Sequence, residues 1–158
     1  MGREILKLVM KNDEFRLIGA LEHENCVEIG QDAVKFIGQN SGITITDNAA
    51  SISFKSQNNI VLIDFSNPKN TIKMLEICVS KSIGMVIGTT GFSEKELLLL
   101  RHASKTIPIL FAPNMSLGVN KVFAIVKEAV KHFSDNYDVE IFEAHHRDKL
   151  DAPSGTAL

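Results

Sequence analysis

The sequence predicts an α/β protein, and three observations carry that prediction. Short apolar runs of strand character alternate with longer stretches of helical periodicity. The runs at 60–65, 85–87 and 107–111 are almost continuously apolar, as in strands covered on both faces of a parallel sheet. Each run is followed by a small or polar loop that opens a helix, the order required by parallel strands joined through helical crossovers.

Taken in order, Ile5, Leu6, Leu8 and Val9 fall at helical spacing, so the chain is expected to begin inside a helix. Phe15 to Leu21 reads as a strand. Residues 22–58 are polar and rich in Asn, Ser and Gly, with one short strand expected at Ile43–Thr46. Ile60–Phe65 is a buried strand, and Ser66-Asn67-Pro68 opens a helix carried by Ile72, Leu75, Ile77 and Val79. The cycle repeats with Met85–Ile87, the loop Gly88–Ser93 and a helix bearing Leu97, Leu98 and Leu100. Ser93 with Glu96 three residues on fits a capping box. A further strand, Ile107–Phe111, leads through Ala112–Ser116 into a helix from about Gly118 to Phe133. Val139–Ala144 alternates as a strand, and Ser154 reads as the cap of an opening helical turn. The first helix lacks the strand that precedes every later one, so the chain is expected to be cut at both ends.

A net charge of −2 gives no global field for nucleic acid or an anionic membrane, so neither is an expected partner. With 44% hydrophobic and 23% charged residues the composition is that of a soluble globular protein. No stretch approaches the ~20 apolar residues of a membrane span, and the charged N-terminus has no signal-peptide core. Cys26 and Cys78 are far apart, in neither metal nor redox spacing, and read as reduced thiols. A cytoplasmic location and no metal site are expected.

Against this acidic background, cationic groups cluster at His145-His146-Arg147-Asp148-Lys149. A histidine can give a proton near neutrality, and a lysine can donate a proton or pair with a carboxylate. Ser154-Gly155-Thr156 offers amides and hydroxyls at a helix start, a carboxylate site. The cluster therefore wants an anion with more than one carboxylate. Ligands of open parallel sheets lie beyond the carboxyl ends of the strands, so the loops at 64–68, 88–93 and 112–116 should line one edge. Gly88-Thr89-Thr90-Gly91 can bring amides and hydroxyls against a ligand, or simply turn. Asn114 can orient a ligand amide or close its loop. Glu22, at a strand end, is placed to accept from ribose hydroxyls, or is a solvated surface carboxylate.

These segments together resemble the 4-hydroxy-tetrahydrodipicolinate reductase (dihydrodipicolinate reductase) family. Glu143-Ala144-His145-His146-Arg147-Asp148-Lys149 through Asp151-Ala152-Pro153-Ser154-Gly155-Thr156-Ala157 is similar to its most specific signature. Val86–Phe92, Phe111–Asn120 and Ile63–Ser66 are similar to its cofactor-side motifs. The resemblance implies a Rossmann-like parallel sheet lacking its first strand and glycine-rich loop, followed by the start of an α+β substrate domain. On that basis residues 1–117 would be an incomplete dinucleotide-binding domain and 118–158 a truncated substrate and catalytic domain.

By the same resemblance His145 would donate the proton with Lys149 as its catalytic partner, and His146, Ser154, Gly155 and Thr156 would bind substrate. Glu22 would take the adenosine ribose, Gly88, Thr89 and Thr90 the nicotinamide half, and Ala112, Pro113, Asn114 and Met115 the cofactor loop. The implied activity is NADH- or NADPH-dependent reduction of a small cyclic dicarboxylate in diaminopimelate and L-lysine biosynthesis, by a homotetramer in the complete protein. His23 stands where many members have Arg for a 2′-phosphate, and only Met1-Gly2-Arg3 remains of the glycine-rich loop. The alternative reading is a non-catalytic remnant that only associates or does not fold stably.

Overall fold

The computed structural model describes residues 1–54, 59–133, 136–147 and 153–157. The chain packs as two compact units, Met1–Ile60 and Val61–Leu158. The boundary of compactness falls before the second set of strands.

In the first unit, helix α1 (Gly2–Val9) opens the chain as its periodicity predicts. Strands β1 (Ala20–Leu21) and β2 (Ile45–Thr46) pair in parallel, Ala20 with Ile45 and Leu21 with Thr46. Both are shorter than predicted: Phe15–Gly19 and Ile43–Thr44 lie outside this parallel ladder. Strand extent is fixed by hydrogen-bonding partners rather than by propensity. Thr44 instead bridges antiparallel to Asp32. The Asp32 carboxylate closes the loop that follows, accepting from the amides of Val34 (2.9 Å), Ser41 (3.0 Å) and Gly42 (2.9 Å). Those donors, Val34 foremost, hold its carboxyl below the usual range.

The second unit is a three-stranded parallel sheet in the order β3-β4-β5, with β3 Val61–Asp64, β4 Gly84–Ile87 and β5 Ile109–Phe111. Helices α2 (Pro68–Lys81) and α3 (Glu94–Ala103) provide the crossovers, and α4 (Leu117–Val130) follows β5. The α/β class is as the sequence predicts. Local chemistry sets the helix starts. Asn67 caps α2 by accepting from the Asn70 amide, with Pro68 at the first position. Ser93 and Glu96 form the expected capping box on α3. Helix α2 ends on Ser82, a non-glycine residue at φ 55°.

The core lies under one face of this sheet. Met85 and Ile87 of β4 pack with Met74, Leu75 and Cys78 of α2 and Leu100 of α3, all buried. Burial, with the charge of Asp64 adding to it, pushes the Cys78 thiol up to about 11, as suits a packing cysteine. The other face departs from expectation. The register places Ile63, Val86 and Leu110 in one cross-strand row, on the face that also carries Val61. Val61 is 53% exposed and Leu110 58%, and among the described residues nothing covers them. The strands are thus covered on one face, because α2 and α3 both serve the opposite one. Helix α4 likewise buries no residue.

Val139–Ala144, expected as a strand, is in no ladder among the described residues. A strand needs a partner for its backbone groups, and none is present there. No helix among the described residues is long and apolar enough to cross a membrane.

One-sided packing gives an asymmetric mutational response. Ile87→Ala, at 0% exposure, is expected to cost about 2–5 kcal/mol in a urea melt. Val61→Ala, on the open face, should stay within about 0.5 kcal/mol. Equal losses at the two positions would show that the open face is covered in solution.

Candidate functional site

Three loops leave the carboxyl edge of the β3-β4-β5 sheet at one level, because Asp64, Ile87 and Phe111 are register partners. The first two loops are tied by a polar knot. Asp64 Oδ1 accepts from the Ser66 amide (2.9 Å) and the Ser66 hydroxyl (2.6 Å), and the Thr89 hydroxyl lies 3.4 Å away. Thr89 Oγ1 in turn accepts from the Ser66 amide at 3.0 Å. Asp64 and Thr89 are buried, whereas Thr90 faces outward. Of the two threonines, the first spends its hydroxyl inside the protein and the second lies at the surface. Gly88 must lack a side chain, since a Cβ there would sit 2.0 Å from the Phe65 ring.

The third loop carries Ala112, Pro113, Asn114 and Met115, and the Ala112 amide donates to Ile87 O at 3.1 Å. Asn114 Oδ1 accepts from the Ser116 amide at 2.9 Å, closing its own turn. Its amide group donates to Thr156 Oγ1 at 2.8 Å, across 42 residues of sequence. A Cβ built on Gly155 would lie 3.0 Å from Pro113 Cβ and 3.8 Å from Thr90 Cγ2. The turn at 154–157 is therefore held against both the second and the third loop. The Ser154 cap is present as expected: its hydroxyl accepts from the Ala157 amide at 3.1 Å.

Glu143 joins that turn to the histidine segment. Its carboxylate accepts from the Ser154 amide (2.7 Å) and from the Ser154 hydroxyl in a short bond, and lies 2.9 Å from His145 Nε2. His145, then Ser154, hold the Glu143 carboxyl down to about 2. It is consequently an anion, able only to accept. Ser154, expected as a substrate ligand, gives both of its donors to this internal carboxylate. Glu143 was not singled out in the sequence reading. The signal that could have found it is its position two residues before His145, on the same side of an extended segment.

His145, His146 and Arg147 are all exposed. Lys149 lies outside the described residues. In the first unit, Glu22 borders a cleft of about 350 Å³ that is also lined by Gly2, Arg3, Leu6 and Phe36. One Glu22 oxygen accepts from the His23 amide at 2.9 Å. Arg3 pairs with Glu28 and sits 5.4 Å from the centre of the Phe36 ring.

Two family models match this chain. Dihydrodipicolinate reductase, N-terminus, matches residues 1–115, and dihydrodipicolinate reductase, C-terminus, matches residues 118–158. The 4-hydroxy-tetrahydrodipicolinate reductase of Polynucleobacter necessarius subsp. necessarius is 42% identical over 100% of this chain and 58% of its own length. That of Nitrosospira multiformis is 46% identical over the same shares. Among solved structures, the dipicolinate-bound dihydrodipicolinate reductase from Paenisporosarcina sp. TG-14 matches with a TM-score of 0.69 and 29% identity, covering 99% of this chain and 58% of that one. The chain thus spans 58% of the length of the curated relatives it matches.

The lowered Glu143 value has a pH consequence whose sign is fixed. A carboxyl depressed on folding adds stability above its unfolded value of about 4.3, and loses it as pH falls from there through about 2. The Ser154 amide proton resonance, hydrogen-bonded to an anion, should therefore hold its position well below pH 4. A midpoint near 4.3 would mean that the Glu143 bonds do not persist in solution.

Proposed function

The chain belongs to the dihydrodipicolinate reductase family, and from that premise we propose that it carries cofactor and catalytic residues of a 4-hydroxy-tetrahydrodipicolinate reductase. The reaction is NADH- or NADPH-dependent reduction of a cyclic unsaturated dicarboxylate, in the cytoplasm, within diaminopimelate and L-lysine biosynthesis. Residues 1–117 belong to the dinucleotide-binding part and 118–158 to the substrate part, and the whole protein assembles as a homotetramer.

The observation that carries this reading is the joining of His145, through Glu143, to the Ser154–Thr156 turn, and of that turn to the loop at Asn114. It sets a proton-bearing ring, a carboxylate-binding turn and a sheet-edge loop side by side. That is the layout needed to protonate one part of a ligand while another part is gripped.

The residues present also suit a dinucleotide. Glu22 keeps acceptor capacity beside the cleft and can take ribose hydroxyls. The outward-facing Thr90 and the adjoining Gly88, Thr89, Ala112, Pro113, Asn114 and Met115 border the nicotinamide side. When bound, the reduced nicotinamide supplies a hydride. His145 gives the proton, with Lys149 assisting in the chemical step. Arg147 draws in the dianion and offsets its charge, and His146 binds beside it. Gly155 and Thr156 hold a substrate carboxylate, while Ser154 sets the shape of their turn.

A chimera tests the assignment: residues 1–158 replace the matching 58% of the Nitrosospira multiformis relative. Turnover of reduced nicotinamide with the cyclic substrate is expected. In that background His145→Gln should cut turnover about 10²–10⁴-fold. Lys149→Ala should lower kcat, and Thr156→Val should chiefly raise KM. A folded chimera without turnover, or one indifferent to His145→Gln, overturns the reading.

A further inference from the structure

Glu143 sits between the two groups that the proposed reaction uses. It is only partly exposed, with 28% of its side chain accessible, and it receives three donors: Ser154 N–H, Ser154 Oγ–H and the His145 ring. An ionised carboxylate has no proton to give, so the ring nitrogen facing it must carry one. In the neutral imidazole only one nitrogen is protonated, and which one is set by the bond the ring makes.

We propose that Glu143 is a positioning residue, which fixes His145 in the tautomer protonated at Nε2 and locks the Ser154–Thr156 turn to it. The proposal rests on the reading of His145 as proton donor and adds the atom from which the proton leaves. With Nε2–H engaged by Glu143, the transferred proton departs from Nδ1 of the imidazolium. The ring is left neutral, with its remaining hydrogen still held by the carboxylate. The same carboxylate also sets how far the donor stands from the substrate turn, because Oε2 meets the ring and the Ser154 hydroxyl while Oε1 takes the Ser154 amide. A loose imidazole two or three rotamers away from that turn would have to be recaptured in every cycle.

Glu143 and Ser154 make separable contributions, which gives the test its resolution. In Glu143→Gln the amide oxygen can still accept from Ser154, so the turn survives. The amide nitrogen, a donor, then faces His145 and demands an acceptor there. The ring should switch to the Nδ1-protonated tautomer. Ser154→Ala loosens the turn without touching the bond to the ring. A side chain that merely filled space would produce neither effect.

The measurement is nitrogen NMR of the histidine rings in the 158-residue chain at mildly alkaline pH, with His145 identified by loss of its signals in His145→Gln. Expected are an Nε2-protonated ring in the unaltered chain, an Nδ1-protonated ring in Glu143→Gln, and no change in Ser154→Ala. In the chimera described above, Glu143→Gln should lower kcat at least about tenfold with KM little altered, since a ring held in the wrong tautomer fails in the chemical step. An Nδ1-protonated ring in the unaltered chain overturns the proposal whether or not any variant folds, as does an unchanged tautomer in folded Glu143→Gln. Titration with dipicolinate on the same sample separates the two ideas. The expected tautomer without dipicolinate binding supports the positioning role and counts against the functional reading.

Discussion

β4 is the constraint on which the second unit depends. Among the described residues it alone has a parallel partner on each edge, and its Met85 and Ile87 are buried toward the helices. Level register with β3 and β5 brings three chain segments to the same height, so their loops emerge as one rim rather than as a staircase. The Gly88 amide is fixed to Asp64 O at 2.9 Å and the Ala112 amide to Ile87 O at 3.1 Å, which carries that alignment one residue past the strand ends. The rim therefore begins as an extension of the ladder, which ties the first residue of these loops to the sheet.

Loops beyond the ladder are organised by another device. Asp32, Asp64 and Glu143 each gather backbone and hydroxyl donors from residues that are not adjacent to them. A carboxylate has about four lone-pair sites and can replace several ladder bonds with one compact acceptor. Asp64 leaves Oδ2 without a partner in the buried knot, a cost borne at the point where two site loops join. Each of these carboxylates is held by directed donors.

What the sequence made legible was mostly local. Asn67-Pro68 and the Ser93–Glu96 pair announce helix starts with chemistry contained within four residues, and both are found as read. The β-α alternation at 60–111 survives for the same reason. Strand lengths were less legible, because Phe15–Gly19 and Val139–Ala144 have the composition of strands without the partners that make one. The open face of β3 and β5 also escaped, since an apolar run states what a strand can bury and not what lies over it. At the site, the residue types around His145 stood out, while the bond linking Asn114 to Thr156 depends on the path of two loops. The Asp32 hub was invisible for the same reason, its partners Ser41 and Gly42 being nine and ten residues away.

The span of these contacts along the chain also dictates an order of assembly. Glu143 and Ser154 are eleven residues apart and can meet soon after both exist, whereas Asn114 must wait for Thr156, 42 residues later. Loop closure over the longer span costs more entropy and is repaid last. During synthesis the sheet and its rim emerge before the turn that meets them, and the rim stands open until residues 154–157 arrive. Gly155, the residue that lets the arriving turn sit against Pro113 and Thr90, then works as a closing latch. A side chain there would crowd Pro113 just as the turn closes.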